Sequence, residues 1–209
     1  TDIKKDRKDL YLPGKVDFTE VDVPAMTYLA IDGHGDPNTS PAYATAIQAL
    51  YAGAYVIRAV LKKRTGDAFV VGPVEGLWTS ADNAACVAGD KGEGDWTMMI
   101  PLPEAVSSQD IAEGLAQAAR KKPGLPISAL KELSLSEARS LQILHVGTYD
   151  DEAPTLAHLH DEIMPGLGLT WNGPHHEIYL SDPRRVAPER MKSVLRQPVR
   201  SGVEANEAG

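Results

Sequence analysis

An internal repeat governs the folds open to this 209-residue chain. In the first copy, Val16 to Val21 and Met26 to Ile31 read as paired strands around Val23-Pro24-Ala25. Gly33-His34-Gly35-Asp36-Pro37-Asn38 is a turn, because Gly, Asn and Asp-Pro supply its backbone angles. Ser40 then caps a helix that Pro41 opens, and Ile47, Leu50, Tyr51, Ala54, Ile57 and Leu61 give it one apolar stripe. Phe69 to Thr79 and Trp96 to Pro101 are two further strands, joined by the Gly-rich acidic turn Gly89 to Asp95. The second copy keeps this order. Leu130 to Leu135 and Leu141 to Val146 are strands, Gly147 to Glu152 a turn, and Ala153 to Met164 a shorter helix ending before Pro165-Gly166. Strands His175 to Leu180 and Ser193 to Val199 close it. A shift of 114 places Gly33 on Gly147 and Asp36 on Asp150, and Glu75 corresponds by order to Glu177.

Such a duplication predicts an α+β fold with pseudo-twofold symmetry, a mostly antiparallel sheet carrying two helices that flank a central ligand cleft. Repeat one spans about 16–103 and repeat two about 127–200, together one domain over 1–200. Between them, Ser107 to Lys122 reads as a capped helix, with Ser107 as cap and Asp110 three residues on. The small, polar segment 201–209 reads as a disordered tail.

Composition excludes several classes of function. A net charge of −8 is the wrong sign for a phosphate-binding surface, and the clusters Lys62-Lys63-Arg64, Arg120-Lys121-Lys122 and Arg184-Arg185 sit where helices end or turns begin. No direct nucleic-acid partner is expected. No apolar run reaches the roughly 20 residues that span a bilayer, and the charged N-terminal segment has no signal-peptide core, so a cytoplasmic, membrane-free protein is expected. Cys86, the lone cysteine, excludes an intrachain disulfide. His158 and His160 diverge by about 200° on a helix, and the chain has no His-x-x-x-His or Cys-x-x-Cys spacing. No metal and no cofactor are expected. Gly-x-Ser-x-Gly and phosphate-binding loops are absent as well.

The candidate chemistry centres on the strand at 175–180. Alternation points His175, Glu177 and Tyr179 one way and His176, Ile178 and Leu180 the other, and the second set is the natural core face. Glu177 then faces either water or a cavity, and in a cavity a carboxylate suits a general base or a counter-ion. Trp78, Trp96 and Trp171 are suited to stacking on a planar ligand. Tyr55 lies on the flank of the first helix's stripe, where its hydroxyl would reach a groove, while Tyr51, Tyr149 and His145 are further candidates for the wall.

His175-His176-Glu177-Ile178-Tyr179-Leu180-Ser181-Asp182-Pro183-Arg184-Arg185, together with the run from Pro188 to Val199, resembles the GyrI-like small-molecule-binding family. Asp32 to Asn38, Glu75-Gly76-Leu77-Trp78 and His145 to Glu152 support the resemblance, with Gly147-Thr148-Tyr149 where many relatives have Gly-Pro-Tyr. It implies tandem strand-helix-strand-strand modules around a cleft whose buried acid is Glu177. Relatives include drug-sensing domains of transcription regulators, a protein that protects gyrase, and stand-alone members that hydrolyse cyclopropanoid DNA-alkylating natural products. The chain is most similar to the stand-alone members. On that reading Glu177 is the general base toward water, Tyr55 orients the water or the ligand, and the partner is a planar aromatic or cyclopropanoid molecule. A passive binder of planar or cationic drugs, or a gyrase-inhibitor-like interaction protein, are the alternatives.

Overall fold

The computed structural model describes residues 1–79 and 94–202. Most of the expected turn at 89–95, Cys86 and all of the expected tail beyond Gly202 lie outside the described residues. Two short helices, α1 (Ile3–Asp6) and α2 (Lys8–Tyr11), precede strands β1 (Thr19–Val23) and β2 (Met26–His34). Helix α3 (Pro41–Thr65), strands β3 (Glu75–Thr79) and β4 (Asp95–Leu102), and helix α4 (Ser108–Lys121) follow. The second half holds β5 (Lys131–Leu135), β6 (Ala138–Val146), α5 (Ala153–His158), a π-helical turn (Leu159–Ile163), α6 (Met164–Gly166), β7 (Leu169–Trp171), β8 (His175–Tyr179) and β9 (Lys192–Ser201).

The main strand order is β1-β6-β9-β8-β3-β4-β2-β5, all antiparallel, with β7 added on β9. Read from the middle outward, the two halves match: β3 with β8, β4 with β9, β2 with β6 and β5 with β1. The expected pairing around Val23-Pro24-Ala25 is corrected. β1 does not fold back on β2; it crosses to β6, and β5 crosses to β2 in return. Each repeat thus lends its first strand to the other, a long-range exchange that strand alternation does not encode. β7 is a three-residue strand between Gly168 and Gly173, too short to show a period of its own. Pro73 and its neighbours stay outside β3, which begins only at Glu75.

Both faces of the sheet are covered. On one face α3 buries Leu50, Ala54, Ile57 and Leu61 against Leu29, Ile31, Trp96, Met98 and Ile100. Over the other half of this face, Leu156 packs on Ile143 and Leu195, and Leu159 and Met164 lie with Leu141, Leu169 and Val199. The opposite face receives Leu10 and Tyr11 of α2 against Leu144, Ile178 and Val194. Among the described residues α3 alone has the length and hydropathy to cross a membrane, yet here its apolar stripe is spent on the sheet and α4.

Helix α4 begins as its sequence predicts. Ser107 Oγ accepts from Asp110 N at 3.1 Å, and Asp110 Oδ2 accepts from Ser107 N at 2.9 Å while pairing with Arg64 at 2.6 Å. Ser40, by contrast, starts α3 without a side-chain cap bond. The helices α3 and α4 meet closely at Gly114, where an added Cβ would stand 2.6 Å from Ile57 Cγ1 and 3.0 Å from its Cα. Gly114→Ala is therefore expected to force the helices apart and to lower stability by ~1–3 kcal/mol, read as a reduced urea midpoint at unchanged slope. An unchanged midpoint would contradict this packing.

Candidate active site

Strands β3 and β8 run side by side at the centre of the sheet, where the two halves meet. Their register sets Gly76 opposite Glu177 and Trp78 opposite His175. Opposed residues share a face, so Trp78, His175, Glu177 and Tyr179 look toward the two helical layers. Glu75 is opposed to Ile178 and faces away, so its correspondence to Glu177 holds in chain order and fails in space. Helix α3 covers the β2–β4 side and α5 with the π-helical turn covers the β6–β9 side. Glu177 stands on the floor between these two layers.

Glu177 is 0% exposed. Tyr179 donates its hydroxyl to Glu177 Oε2 at 3.3 Å and accepts from Trp78 Nε1 at 2.9 Å. His175 Nε2 lies 3.5 Å from Glu177 Oε1. Gly76 permits this arrangement, because a Cβ there would meet Met98 Cε at 2.7 Å and Trp78 Nε1 at 3.0 Å. Without that Cβ, the indole lies over the backbone and reaches the Tyr179 hydroxyl.

Tyrosines close the site. Tyr149 meets Tyr179 edge to face, with ring centroids 5.8 Å apart, and Tyr43 meets Trp96 likewise at 5.3 Å. Burial, and then the charges of Glu152 and Glu177, push the Tyr149 phenol up to about 12. Burial together with Tyr149 and Glu177 raises Tyr43, and burial with Glu177, Tyr43 and Glu152 raises Tyr179. All three phenols keep their protons at neutral pH, and Tyr179 donates its own to Glu177.

The predicted residues do not all meet at one point. Glu177, Trp78 and Tyr149 come together. Trp96 backs the site as a wall: its indole lies flat on Gly33, donates to Gly35 O at 3.2 Å and carries Tyr43. His145 works through the turn, its Nε2 2.8 Å from Thr148 O. Thr148 also donates from N and Oγ1 to Asp151 Oδ2, at 3.1 and 2.7 Å, so this braced turn presents Tyr149. Tyr51 sits beside Asp182 and Arg184, after β8, and Trp171 stacks on His160 at 4.1 Å. Tyr55 is placed apart from these groups. It is 57% exposed, twelve residues beyond Tyr43 and so ~18 Å further along α3 and turned by about 120°. Tyr43 is the helix tyrosine whose hydroxyl feels Glu177.

Sequence reasoning also missed Glu152, 2% exposed beneath the same phenols. Its place in an acidic turn gave no sign of burial. Tyr179 was legible from its alternation with Glu177. The supposed core face holds a larger surprise in His176, which is fully buried and gripped by Glu75 at 2.8 Å and Glu137 at 2.9 Å. Among the described residues no group of three or more His, Cys, Asp or Glu is placed to hold a metal ion.

The GyrI-like small molecule binding domain matches residues 17–200. The chain belongs to this family. A solved structure of an uncharacterized conserved protein from Listeria innocua is 36% identical, with a TM-score of 0.84, over 95% of this chain and 99% of that one. A hydrolase from Listeria innocua is also 36% identical, with a TM-score of 0.81 over the same shares. The C-terminal domain of EcmrR, at 9% identity, a TM-score of 0.53 and coverage of 88% and 98%, shares the fold. Curated proteins yield no match. A small-molecule-binding domain thus frames the Glu177 site.

Proposed function

We propose that this GyrI-like protein is a hydrolase that opens the cyclopropane ring of cyclopropanoid DNA-alkylating compounds by adding water. The observation that carries the reading is the fully buried Glu177 carboxylate, held between two helical layers and ringed by protonated phenols. The hydrolase name of a Listeria innocua protein 36% identical over nearly the whole chain supports it.

The chemistry asks little beyond this set of groups. In such compounds a strained cyclopropane is conjugated to a dienone. Water attacks the less hindered ring carbon, the ring bond breaks, and its electron pair aromatises the dienone to a phenolate that takes up a proton. Glu177 removes the proton from the attacking water. The phenols of Tyr43, Tyr149 and Tyr179 take the orienting role in place of Tyr55, Trp78 offers its indole to the polycycle, and Trp96 supports the wall behind. General-base assistance is worth ~10²–10⁴-fold, and positioning adds to it.

Incubation of the purified protein with a cyclopropanoid alkylator, followed by mass spectrometry, tests the proposal. A product heavier by one water, formed over many turnovers, is expected. Unchanged ligand recovered from a stable complex would reject catalysis and leave sequestration, with Glu177 as counter-ion to a cationic drug.

A further inference from the structure

Three polar side chains converge at one end of the Glu177 row with hydrogen-bonding capacity that no described residue uses. His175, buried and on the face of Glu177, has no hydrogen-bond partner for either ring nitrogen among the described residues. Gln197 is 0% exposed and donates Nε2 to Gly173 O and Pro198 O at 3.0 and 2.9 Å, while its Oε1 lacks a partner. β8 and β9 pair His176 with Arg196, so one further step of that register sets His175 against Gln197. His160 comes from the opposite layer. Its ring stacks on Trp171 at 4.1 Å with an interplanar angle of 19°, and both of its nitrogens are buried without partners among the described residues.

The backbone is specialised at the same place. His160 lies in the five-residue π-helical turn Leu159–Ile163. Such wide turns are rare and are frequent at functional sites. Burial, and then the nearby ring of His175, push His160 down to about 4, so it is a neutral imidazole at physiological pH. A neutral imidazole offers one N–H donor and one bare acceptor nitrogen. A buried polar group without a partner is destabilising, so a cluster of them is a standing demand for a matching ligand.

We propose that His160, His175 and Gln197 form a hydrogen-bonding subsite for the uncharged polar edge of a flat ligand, an edge such as a lactam that presents a donor and an acceptor side by side. The proposal rests on the reading of the Glu177 site as a small-molecule cleft. His175, 3.5 Å from Glu177, joins the two parts, so a planar ligand would lie along β8 with its reacting or charged portion at Glu177 and its neutral edge at His160. Trp171 fixes the His160 ring from behind.

Three planar probes separate this subsite from the cleft as a whole: phenanthridinone, a neutral lactam; phenanthrene, which has no polar edge; and N-methylacridinium, a cation. Wild-type protein is expected to bind the lactam more tightly than phenanthrene. His160→Phe keeps a ring on Trp171 and removes both nitrogens. It is expected to weaken the lactam by ~3–10-fold, the range of one or two neutral hydrogen bonds, and to leave phenanthrene and the cation within about twofold. Glu177→Gln is expected to weaken the cation and to preserve the lactam preference. In the wild type, the ¹⁵N resonances of His160 should move with the lactam and stay put with phenanthrene. A lactam preference that is absent from the wild type, or that survives His160→Phe unchanged, would overturn the subsite while a Glu177-dependent cation response left the cleft intact. Failure of all three probes to bind the wild type would overturn both.

Discussion

Glu177→Gln is expected to lower ring-opening turnover by ~10²–10⁴-fold while ligand affinity stays within a few-fold. The amide has the shape of the carboxylate and still accepts from the Tyr179 hydroxyl, now 3.3 Å from Glu177 Oε2, but it cannot take a proton from water. Because Glu177 is 0% exposed and the amide fills the same volume as the carboxyl group, the variant's thermal midpoint should change little. Loss of rate without loss of binding or stability marks a general base. Single-turnover product formation, calorimetric affinity and a melting curve on the same preparation decide the matter. Turnover equal to the wild type would remove Glu177 from the mechanism. Unaltered neutral-ligand binding with loss of cation binding, and no product from either protein, would instead identify a counter-ion.

The second large effect lies on the opposite face of the sheet. Arg196, 1% exposed, donates to Glu137 Oε1 and Gln142 Oε1, both at 3.1 Å, and to Leu10 O at 3.0 Å. Glu137 also holds His176, whose other nitrogen meets Glu75, and Tyr11 donates to Glu75 at 2.7 Å. Cutting one member strands the others in an apolar setting. Arg196→Met is expected to cost ~3–5 kcal/mol, read from the urea midpoint. A loss below about 1 kcal/mol would show that water already relieves these charges.

The same network dictates a pH profile. Burial disfavours the His176 imidazolium, but the charge and hydrogen bonds of Glu137 and then Glu75 outweigh it and hold His176 at about 9, against 6.5 for a free imidazole. Its stabilisation is complete below the unfolded value of 6.5 and is lost as pH rises through about 9. Glu137 runs the other way. Burial raises it, His176 and Arg196 more than reverse this, and it rests at about 2 against 4.5 unfolded, so its contribution is present above 4.5 and lost as pH falls toward 2. Stability should peak between these limits and decline from neutral pH into the alkaline range. His176→Gln should flatten the alkaline arm; an equal decline in that variant would place its origin elsewhere.

Some of this architecture follows from the chain alone, for local reasons. Ser107 and Asp110 cap α4 because the capping box needs only neighbours three residues apart. The α3 stripe and the sharing of a face by His175, Glu177 and Tyr179 follow from the periods of helix and strand. The duplicated element order was legible too, and with it the α+β class and a strand carrying Glu177.

What periodicity cannot supply is the partner of each face. That the first strands of the repeats change sides, that α2 roofs the Arg196 network, and that Tyr43 feels the charge of Glu177 all depend on the placement of distant residues. His176 shows the difference best. By alternation it belonged to an apolar core, and it did prove buried, but as a charged group between Glu75 and Glu137, which lie 101 and 39 residues away. The sequence alone determined which side chains point together; the tertiary fold decided what they meet, because burial energy and charge pairing act through space and carry no memory of separation along the chain.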